Sequence, residues 1–429
     1  MTSRLTVVAA RFPAGSQPRL LRELSPAATQ AVIRVCTDGQ DPDEAQTLLV
    51  ANLLNDLAAQ RAWLLCSCVG EDLASLPVMY PRRTQANTRA LVRNYDRAAH
   101  SDKCPFHRLR SERVAPAEKV ATPPYAGACG ILRVVAPADA AQVEHSAVGG
   151  RQRNSSVPLL GRILYSFLEE ARLNVIPPEG PAPIQGQYQA LREVLERRSW
   201  DDDKTLSVGK FAITSLDNSD WLIERLTRSP RWPHPLAPQG FLLGNASEVD
   251  GQVIRTTRGS EIEVKGKVAL PGEDSCGPYL ALLLYGRAAG AAKIEPATAF
   301  VTPIYRGNML LPVDSDLERR TLAILLRQQS WLNLQKNLKV TITKPLSDIP
   351  VSHAAAKAVR PDFLVTLPGR GTVVVETMGY STEEYLERKA RLHPAMESIG
   401  KVVAHGHGDT SDHDFRSALA SAIFGLLRG

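Results

Sequence analysis

The alternation of apolar and polar positions is most regular between residues 314 and 429. Its periods predict helices and strands in the order αβββαβα. In chain order these are a helix at Asp316–Asn333, strands at Lys339–Lys344, Asp362–Leu367 and Thr372–Glu376, a helix at Thr382–Ser398, a strand at Lys401–His405 and a helix from Asp414. Apolar strands flanked by amphipathic helices are typical of a mixed sheet covered on both faces. We therefore predict an α/β domain at this end of the chain.

The first part of the chain shows a helix followed by a strand. Four leucines recur at helical spacing before a short strand at Trp63–Leu65 that leads into Cys66. These leucines are Leu49, Leu53, Leu54 and Leu57. Alanine, proline, glycine and serine dominate from Val114 to Val157, and this composition without periodicity predicts a linker.

Two further regions lie between this linker and the C-terminal domain. One apolar helix stripe runs from Leu160 to Leu168, and a second helix runs from Tyr188 to Arg197. Beyond them, alternating segments at Gln252–Arg255 and Glu261–Lys265 meet at a turn around Gly259 and indicate a β-rich region. The predicted divisions of the chain are residues 1–113, 114–157, 158–235, 236–313 and 314–429.

Composition is that of an ordinary globular protein. A chain of 429 residues is expected to fold as several domains, and its 44% apolar and 22% charged residues argue against wholesale disorder. No stretch approaches the roughly 20 uninterrupted apolar residues of a membrane span, and the first residues do not have the pattern of a signal peptide. We therefore expect a cytoplasmic protein without a membrane partner.

Positive charge is concentrated in one region of the chain. The formal net charge is +6, and nine basic residues accompany three acidic ones between Arg82 and Arg113. Such an excess suits the phosphate backbone of a nucleic acid, although a solvated basic surface has the same composition. The candidate nucleic-acid contacts are Arg82, Arg83, Arg89, Arg93 and Arg97 in this region and Lys344 in the C-terminal domain.

Four soft metal ligands occur in the first part of the chain. Cys66 and Cys68 are followed by His100 and Cys104. Tetrahedral Zn²⁺ accepts three thiolates and one imidazole, and such a closed site is structural because it leaves no position open for water. His107 has an equally suitable spacing from Cys104, and buried free thiols with surface histidines are the alternative. The cysteines in no ligand-spaced pair are Cys36, Cys129 and Cys276.

Two acidic residues mark the outer ends of successive predicted strands. Asp362 begins one strand, Glu376 ends the next, and residues 368–371 connect the two strands. Folding this hairpin brings the carboxylates toward each other. Mg²⁺ and Mn²⁺ prefer oxygen ligands, and Mg²⁺ is commonly bound by one or two carboxylates together with phosphate. The pattern therefore predicts a Mg²⁺ or Mn²⁺ site at Asp362 and Glu376.

The length of the hairpin loop decides whether these carboxylates meet. A three-residue loop at Gly369–Gly371 would pair Leu364 with Glu376 and put Asp362 and Glu376 on one face of the sheet. A two-residue loop would put them on opposite faces. Both registers remain open at this point.

Three other charged residues accompany the acidic pair. Lys389 lies on the predicted helix after Glu376, where a lysine can reach a scissile phosphate or orient the attacking water. Lys344 ends the first strand of this domain and can do the same. Glu318 follows Ser315 by three positions, so these two residues form a capping box at the start of the first helix.

These residues resemble the restriction-endonuclease-like PD-(D/E)xK superfamily, through Arg360-Pro361-Asp362-Phe363 and Val374-Val375-Glu376-Thr377-Met378. More narrowly, the chain resembles an uncharacterised bacterial family found on plasmids and integrated mobile elements. The segments that carry this second resemblance are residues 315–320, 344–346, 360–363, 376–380 and 384–389.

The resemblance implies hydrolysis of a phosphodiester with one or two metal ions. Asp362 and Glu376 would be the ligands, and Glu318 would be an auxiliary ligand. The lysine that the superfamily usually has two residues after the second acid is Met378 here, so Lys389 would take its role in an active enzyme. An inactive descendant that only binds nucleic acid is the alternative.

Three hypotheses follow for function. The first is a metal-dependent nuclease that acts on DNA in the transfer or maintenance of a mobile element, with the zinc module helping to grip the substrate. The second is a catalytically inactive DNA-binding or assembly factor with the same fold. The third is a zinc-stabilised scaffold for protein interactions. The expected partners are DNA and either a second copy of the chain or other proteins of the mobile element.

Overall fold

The computed structural model divides the chain into two compact units. The first comprises Met1–Val114, Ser247–Gly251 and Glu273–Tyr279, and the second comprises Ala115–Ala246, Gln252–Gly272 and Leu280–Gly429. The structure describes residues 4–10, 12, 17–37, 43–83, 89–94, 97–107, 124–134, 157–229, 232–270, 276–287, 293–353, 356–378, 383–406 and 412–428. Among these residues, no helix has both the length and the apolar character needed to cross a membrane.

The first unit is built on an antiparallel sheet. Its elements are β1 (Leu5–Ala9), β2 (Leu20–Glu23), α1 (Pro26–Cys36), α2 (Glu44–Ala59), β3 (Ala62–Cys66), β4 (Val78–Arg83) and β5 (Arg89–Arg93). The strand order is β2-β1-β3-β4-β5. Both helices pack on one face of the sheet, where Val32 and Leu54 join Leu64 and Met79 in a single core. The predicted helix and strand are confirmed as α2 and β3.

Periodicity predicted one helix and one strand in this region, and the structure adds a second helix and four further strands. Five strands form the sheet, and the periodicity did not reveal most of them. The edge strand β2 is exposed at every position, so it has no alternation of apolar and polar residues.

The middle of the chain supplies helices and strands to the second unit. In chain order they are α3 (Leu159–Glu170), β6 (Val175–Ile176), α4 (Ile184–Arg197), β7 (Ala212–Ile213), α5 (Ser219–Arg228), β8 (Gln239–Asp250), β9 (Val253–Thr256), β10 (Glu261–Glu263), β11 (Val268–Ala269), β12 (Tyr279–Gly286), β13 (Glu295–Arg306) and β14 (Met309–Pro312). The two predicted helices are confirmed as α3 and α4. The predicted hairpin is confirmed as β9 and β10, and Gly259 in its turn has a φ of 93°, a conformation that favours glycine.

Helices and strands of this region pack against one another. The strand order is β10-β9-β8-β12-β13-β11, with β7 beside β8 and β14 beside β13. The ring of Phe241 on β8 lies 6.1 Å from that of Phe167 on α3 and 4.6 Å from that of Trp200. The boundary predicted at residue 235 therefore does not separate two folded bodies.

Part of the predicted linker belongs to this region as well. In the described stretch of residues 124–134, the Cys129 amide donates to the Ser199 carbonyl at 2.9 Å. The Ile131 amide donates to the side-chain oxygen of Gln239 at 2.7 Å. These hydrogen bonds fix irregular backbone that has no periodicity to recognise. The rest of the predicted linker lies outside the described residues, apart from Val157.

The C-terminal elements include all those predicted, in the predicted sequence, with two further strands between them. They are α6 (Asp316–Lys336), β15 (Thr341–Thr343), β16 (Ile349–His353), β17 (Ala356–Val359), β18 (Phe363–Leu367), β19 (Gly371–Met378), α7 (Glu383–Glu397), β20 (Lys401–Gly406) and α8 (Asp412–Gly425). The sheet has the order β20-β19-β18-β15-β6. Only β19 and β20 pair in parallel among its strands, so the sheet is mixed as predicted.

Two features were not predicted in this domain. A hairpin of β16 and β17 precedes β18. In addition, β6 from the middle of the chain extends the sheet at its edge, where Ile176 pairs with Ile342. A strand of two residues is too short for periodicity to reveal.

Helices cover both faces of the C-terminal sheet. On one face, α6 and α8 pack against Phe363 and Val375. On the other face, α7 packs through Ala395 and Met396 against Val374. Because neighbouring residues of a strand point to opposite faces, even-numbered residues of β19 face α7. This alternation directs Glu376 toward α7.

Candidate functional site

The hairpin of β18 and β19 brings the two predicted acidic residues together. Phe363 pairs with Val375 and Leu367 pairs with Gly371, so the loop is Pro368-Gly369-Arg370. It contains three residues, but it starts one position earlier than the predicted three-residue loop. The shift keeps the same alternation of faces, and it brings Asp362 directly opposite Glu376.

Hydrogen bonds hold this acidic pair in place. The Asp362 amide donates to Glu376 Oε1 at 3.1 Å. Asp362 Oδ2 accepts from both the amide and the hydroxyl of Thr377, at 2.7 and 2.6 Å. Both acidic side chains are buried. The sequence did not identify Thr377, because its role depends on the register of the hairpin.

Lys389 reaches the acidic pair from α7. Its Nζ lies 3.6 Å from Asp362 Oδ2 and donates a hydrogen bond to Glu376 Oε2. Burial and the nearby Asp362 carboxylate raise the pKa of Glu376, and Lys389 offsets only part of this effect. Two carboxylates thus share one ammonium group in a buried place. Such an arrangement favours a further cation.

Glu318 and Lys344 form a second buried ion pair. Lys344 Nζ lies 2.6 Å from Glu318 Oε2 and 3.6 Å from Asp314 Oδ2. Burial by itself lowers the pKa of Lys344, but the carboxylates of Asp314, Glu318 and Asp362 raise it above its ordinary value. The ammonium group that we predicted as a nucleic-acid contact is therefore bound by carboxylates.

Glu318 also has the capping role that its spacing predicted. Its amide donates to Ser315 Oγ at 3.1 Å, and its Oε2 accepts from the Asp314 amide at 2.9 Å. These contacts satisfy donors at the start of α6. A metal-binding role for Glu318 remains a prediction.

Replacing Lys344 with methionine is expected to lower the free energy of unfolding by about 3–5 kcal/mol, because it leaves the Glu318 carboxylate buried without its partner. Urea denaturation measures this change. The matched control is Lys357→Met, which removes an exposed lysine of β17. Adding Glu318→Gln to Lys344→Met should restore part of the lost free energy of unfolding. Equal midpoints for the wild type and Lys344→Met would contradict the importance of this pair.

A buried histidine links the strand beside β19 to two helices. Thr321 Oγ1 lies 2.8 Å from the Leu317 carbonyl oxygen and forms a hydrogen bond with His405 Nδ1 at 2.7 Å. His405 Nε2 lies 3.1 Å from Asp412 Oδ1. Burial opposes ionisation of Asp412, but hydrogen bonds from Arg320 and His405 lower its pKa. His405 thus connects Thr321 on α6 with Asp412 on α8.

The predicted metal ligands of the first unit form a compact cluster. The ligand atoms of Cys66, Cys68, His100 and Cys104 all lie within 4.8 Å of one another. The Cys66 and Cys104 sulfurs are 3.7 Å apart, and His100 Nδ1 is 3.4 Å from the sulfurs of Cys68 and Cys104. Zn–S bonds of about 2.3 Å in a tetrahedron put sulfurs about 3.8 Å apart, and a sulfur and a nitrogen about 3.6 Å apart. The cluster fits a tetrahedral ion.

His100, rather than His107, belongs to this cluster. His107 Nδ1 instead lies 3.5 Å from the His100 backbone carbonyl. Within the described part of the chain, His100 Nε2 is buried without a hydrogen-bond partner. Local spacing did not distinguish the two histidines. The path of the backbone between Cys104 and His107 decides between them.

The thiols of Cys66 and Cys68 favour the neutral form when no cation is bound. A hydrogen bond with Cys104 and burial raise the pKa of Cys66, and burial raises that of Cys68. A cation that binds thiolates reverses this preference. The donor set and its burial therefore suit a metal ion such as Zn²⁺.

The arginines of the basic region differ in their exposure. Arg82 is buried and hydrogen-bonded to the side chain of Tyr279. Arg89 is half-buried, and the side chain of Arg83 lies outside the described residues. Arg82 therefore does not present its guanidinium to a nucleic acid in this structure.

Two other arginines contact their own unit. Arg93 Nη1 donates to the His107 carbonyl at 2.8 Å. Arg97 donates to the Phe12 carbonyl, and its guanidinium lies 4.5 Å from the centre of the Phe12 ring. These contacts stabilise the chain around the Cys/His cluster. Binding of phosphate by Arg89, Arg93 and Arg97 remains a prediction.

Comparisons with known proteins match all three parts of the chain. A restriction endonuclease-like C-terminal domain matches residues 314–422. Two domains of unknown function, DUF8535 and DUF8534, match residues 121–304 and 11–110. The chain is also 36% identical over 160 residues to an uncharacterized protein in cib 5'region of Escherichia coli, which covers 35% of this chain and 70% of that protein. The match at residues 121–304 spans the helical and β-rich regions that pack against each other.

Proposed function

We propose that this chain is a metal-dependent nuclease that acts on DNA. The chain belongs to the family of that Escherichia coli protein and has a restriction endonuclease-like C-terminal domain. One observation carries the proposal. Asp362 and Glu376 lie opposite each other in a buried place and share the ammonium group of Lys389. The resemblance of residues 315–320 and 376–380 to a family of mobile elements supports a role in their transfer or maintenance.

The carboxylates would hold Mg²⁺ or Mn²⁺ together with a phosphate of the substrate. When bound, the ion supplies a Lewis acid and lowers the pKa of a coordinated water. Thr377 keeps Asp362 in one orientation through two hydrogen bonds. Lys389 offers a positive charge beside both carboxylates, where it would orient water or neutralise charge on the phosphate. Glu318 would contribute through Lys344, its partner in the neighbouring ion pair.

In the first unit, Cys66, Cys68, His100 and Cys104 would hold Zn²⁺. Three thiolates and one imidazole complete a tetrahedron, so this site would stabilise the fold without chemistry of its own. It would join β3 to the segment that contains His100 and Cys104. The neighbouring basic region would then be held in one conformation for contact with DNA.

Cleavage by the wild-type protein tests the nuclease proposal. Labelled single-stranded and double-stranded DNA are incubated with the protein in Mg²⁺, in Mn²⁺ or in EDTA. We expect products in Mg²⁺ or Mn²⁺ and none in EDTA, because the carboxylates need a divalent cation. A parallel preparation of Glu376→Ala controls for contaminating nucleases. An intact substrate in every condition would contradict the proposal.

The second candidate is an inactive DNA-binding factor with the same fold. The observation that favours it is Lys389, whose ammonium group already neutralises part of the charge of Asp362 and Glu376. In that case the lysine would replace the cation rather than assist it. Titration calorimetry separates the two candidates, since the nuclease should bind Mn²⁺ in the absence of DNA and the inactive factor should not.

A further inference from the structure

A pocket of about 450 Å³ lies beside α5 in the second unit. Its volume is in the range of about 300–1,000 Å³ that is common for sites of small ligands. The residues that line it are Phe211, Trp221, Glu224, Arg225, Arg228 and Ser229. None of them belongs to the Asp362–Glu376 site or to the Cys/His cluster. The lining combines aromatic rings with guanidinium groups.

Trp221 is exposed although α5 has a well-defined buried face. Leu222 and Leu226 are buried and attach the helix to the core, whereas 47% of Trp221 is exposed. The tryptophan is therefore not needed to anchor the helix. A large aromatic side chain at the edge of a pocket is typical of a binding surface.

The guanidinium of Arg225 contacts both aromatic rings of the pocket. Its central carbon is 4.7 Å from the centre of the Trp221 ring and 5.8 Å from that of Phe211. These distances are typical of cation–π contacts. The pocket thus presents a ring face and a positive charge side by side.

A second guanidinium lies one turn further along α5. Arg228 forms an ion pair with Glu224 at 2.5 Å, and the two side chains are 77% and 53% exposed. An exposed pair of this kind contributes little to stability, so a phosphate can compete for Arg228. Two arginines against one glutamate leave the pocket with a positive charge.

We propose that this pocket binds an unpaired nucleotide of single-stranded DNA, with the base stacked on Trp221 and the phosphates beside Arg225 and Arg228. The inference rests on the proposed function, because it assumes a DNA substrate. Stacking requires the flat face of a base, which is covered by its neighbours in a duplex and accessible in a single strand. An acidic peptide would pair with the arginines but has no base to stack on Trp221.

Fluorescence anisotropy of a labelled oligodeoxythymidine tests this site, in buffer without added Mg²⁺ or Mn²⁺ so that no cleavage occurs. We expect Trp221→Ala to weaken binding by at least about tenfold, as removal of a stacking ring does at other sites for single strands. Trp221→Phe should keep most of the affinity, because phenylalanine still offers a ring face. The matched control is Trp331→Ala, since Trp331 is 41% exposed and has Lys336 Nζ 5.4 Å from its ring centre.

Three results would overturn the inference: equal affinities of Trp221→Ala and Trp331→Ala, competition by duplex DNA as strong as that by a single strand, or no binding by the wild type. Weaker binding by Arg225→Gln, with a smaller salt dependence of the affinity, would support the inference. The proposed function is judged separately by cleavage in Mg²⁺. Glu376→Ala should lose cleavage and retain binding of the oligonucleotide.

Discussion

Replacing Glu376 with alanine is expected to lower the rate of metal-dependent DNA cleavage by about a thousandfold or more, because a metal ion stabilises the transition state by several kcal/mol. Glu376 is buried opposite Asp362, and its Oε2 accepts a hydrogen bond from Lys389. The substitution removes one of the two carboxylates that would hold the ion. Single-turnover cleavage, with the protein in excess over labelled DNA, measures the effect on the chemical step.

The control for this variant is Glu397→Ala, which removes an exposed glutamate from the end of α7. It should cleave DNA like the wild type. Glu376→Ala also leaves Lys389 without a buried partner, so its thermal unfolding must be compared with that of Glu376→Gln. Both variants should be inactive, and Glu376→Gln keeps the shape of the side chain. Undiminished cleavage by either folded variant would exclude the assigned site.

Removal of zinc is expected to have the largest effect on stability. The binding energy of a structural zinc ion is of the order of 10–16 kcal/mol in zinc-finger peptides, and it becomes folding energy when the site exists only in the folded protein. Cys66 ends β3, so loss of the ion would release the strand from the segment of His100 and Cys104. We expect about one zinc per chain in the wild type, and cooperative unfolding of the first unit after chelation.

Cys66→Ser should bind less zinc and unfold at a lower temperature. The matched control is Cys36→Ser, because Cys36 is buried in the same core but lies outside the cluster. The Cys36→Ser variant should retain the metal. Metal analysis by mass spectrometry and thermal unfolding followed by circular dichroism measure both effects. Less than one zinc per chain, unchanged by Cys66→Ser, would remove the proposed site.

Long periodic segments made the C-terminal fold predictable. Each helix and strand of the αβββαβα order has enough residues to show a period, and each was found within a few positions of its predicted bounds. The acidic pair and the Cys/His cluster were also recognisable, because their chemistry depends on residue type and on spacing. The burial of individual side chains and the contacts between residues distant in sequence were not recognisable in this way.

Contacts between residues that are distant in sequence decided the features that the sequence did not predict. Lys344 and Arg82 have the composition of a nucleic-acid surface, but both side chains are buried in the structure. The strand β6 joins the C-terminal sheet from more than 160 positions away, through the pairing of Ile176 with Ile342. Such pairing depends on which edge of the sheet is available, and no local pattern reports it.

The sequence by itself indicated the elements of the C-terminal domain, the identity of its acidic residues and the residues of a Cys/His cluster, with His107 as an alternative to His100. The tertiary structure decided the register of the hairpin formed by β18 and β19. A loop that begins at Pro368 instead of Gly369 puts Asp362 opposite Glu376, and α7 then brings Lys389 to both. The physical reason is that local periodicity reports which face of an element is buried, whereas register and ion pairs depend on how separate elements pack.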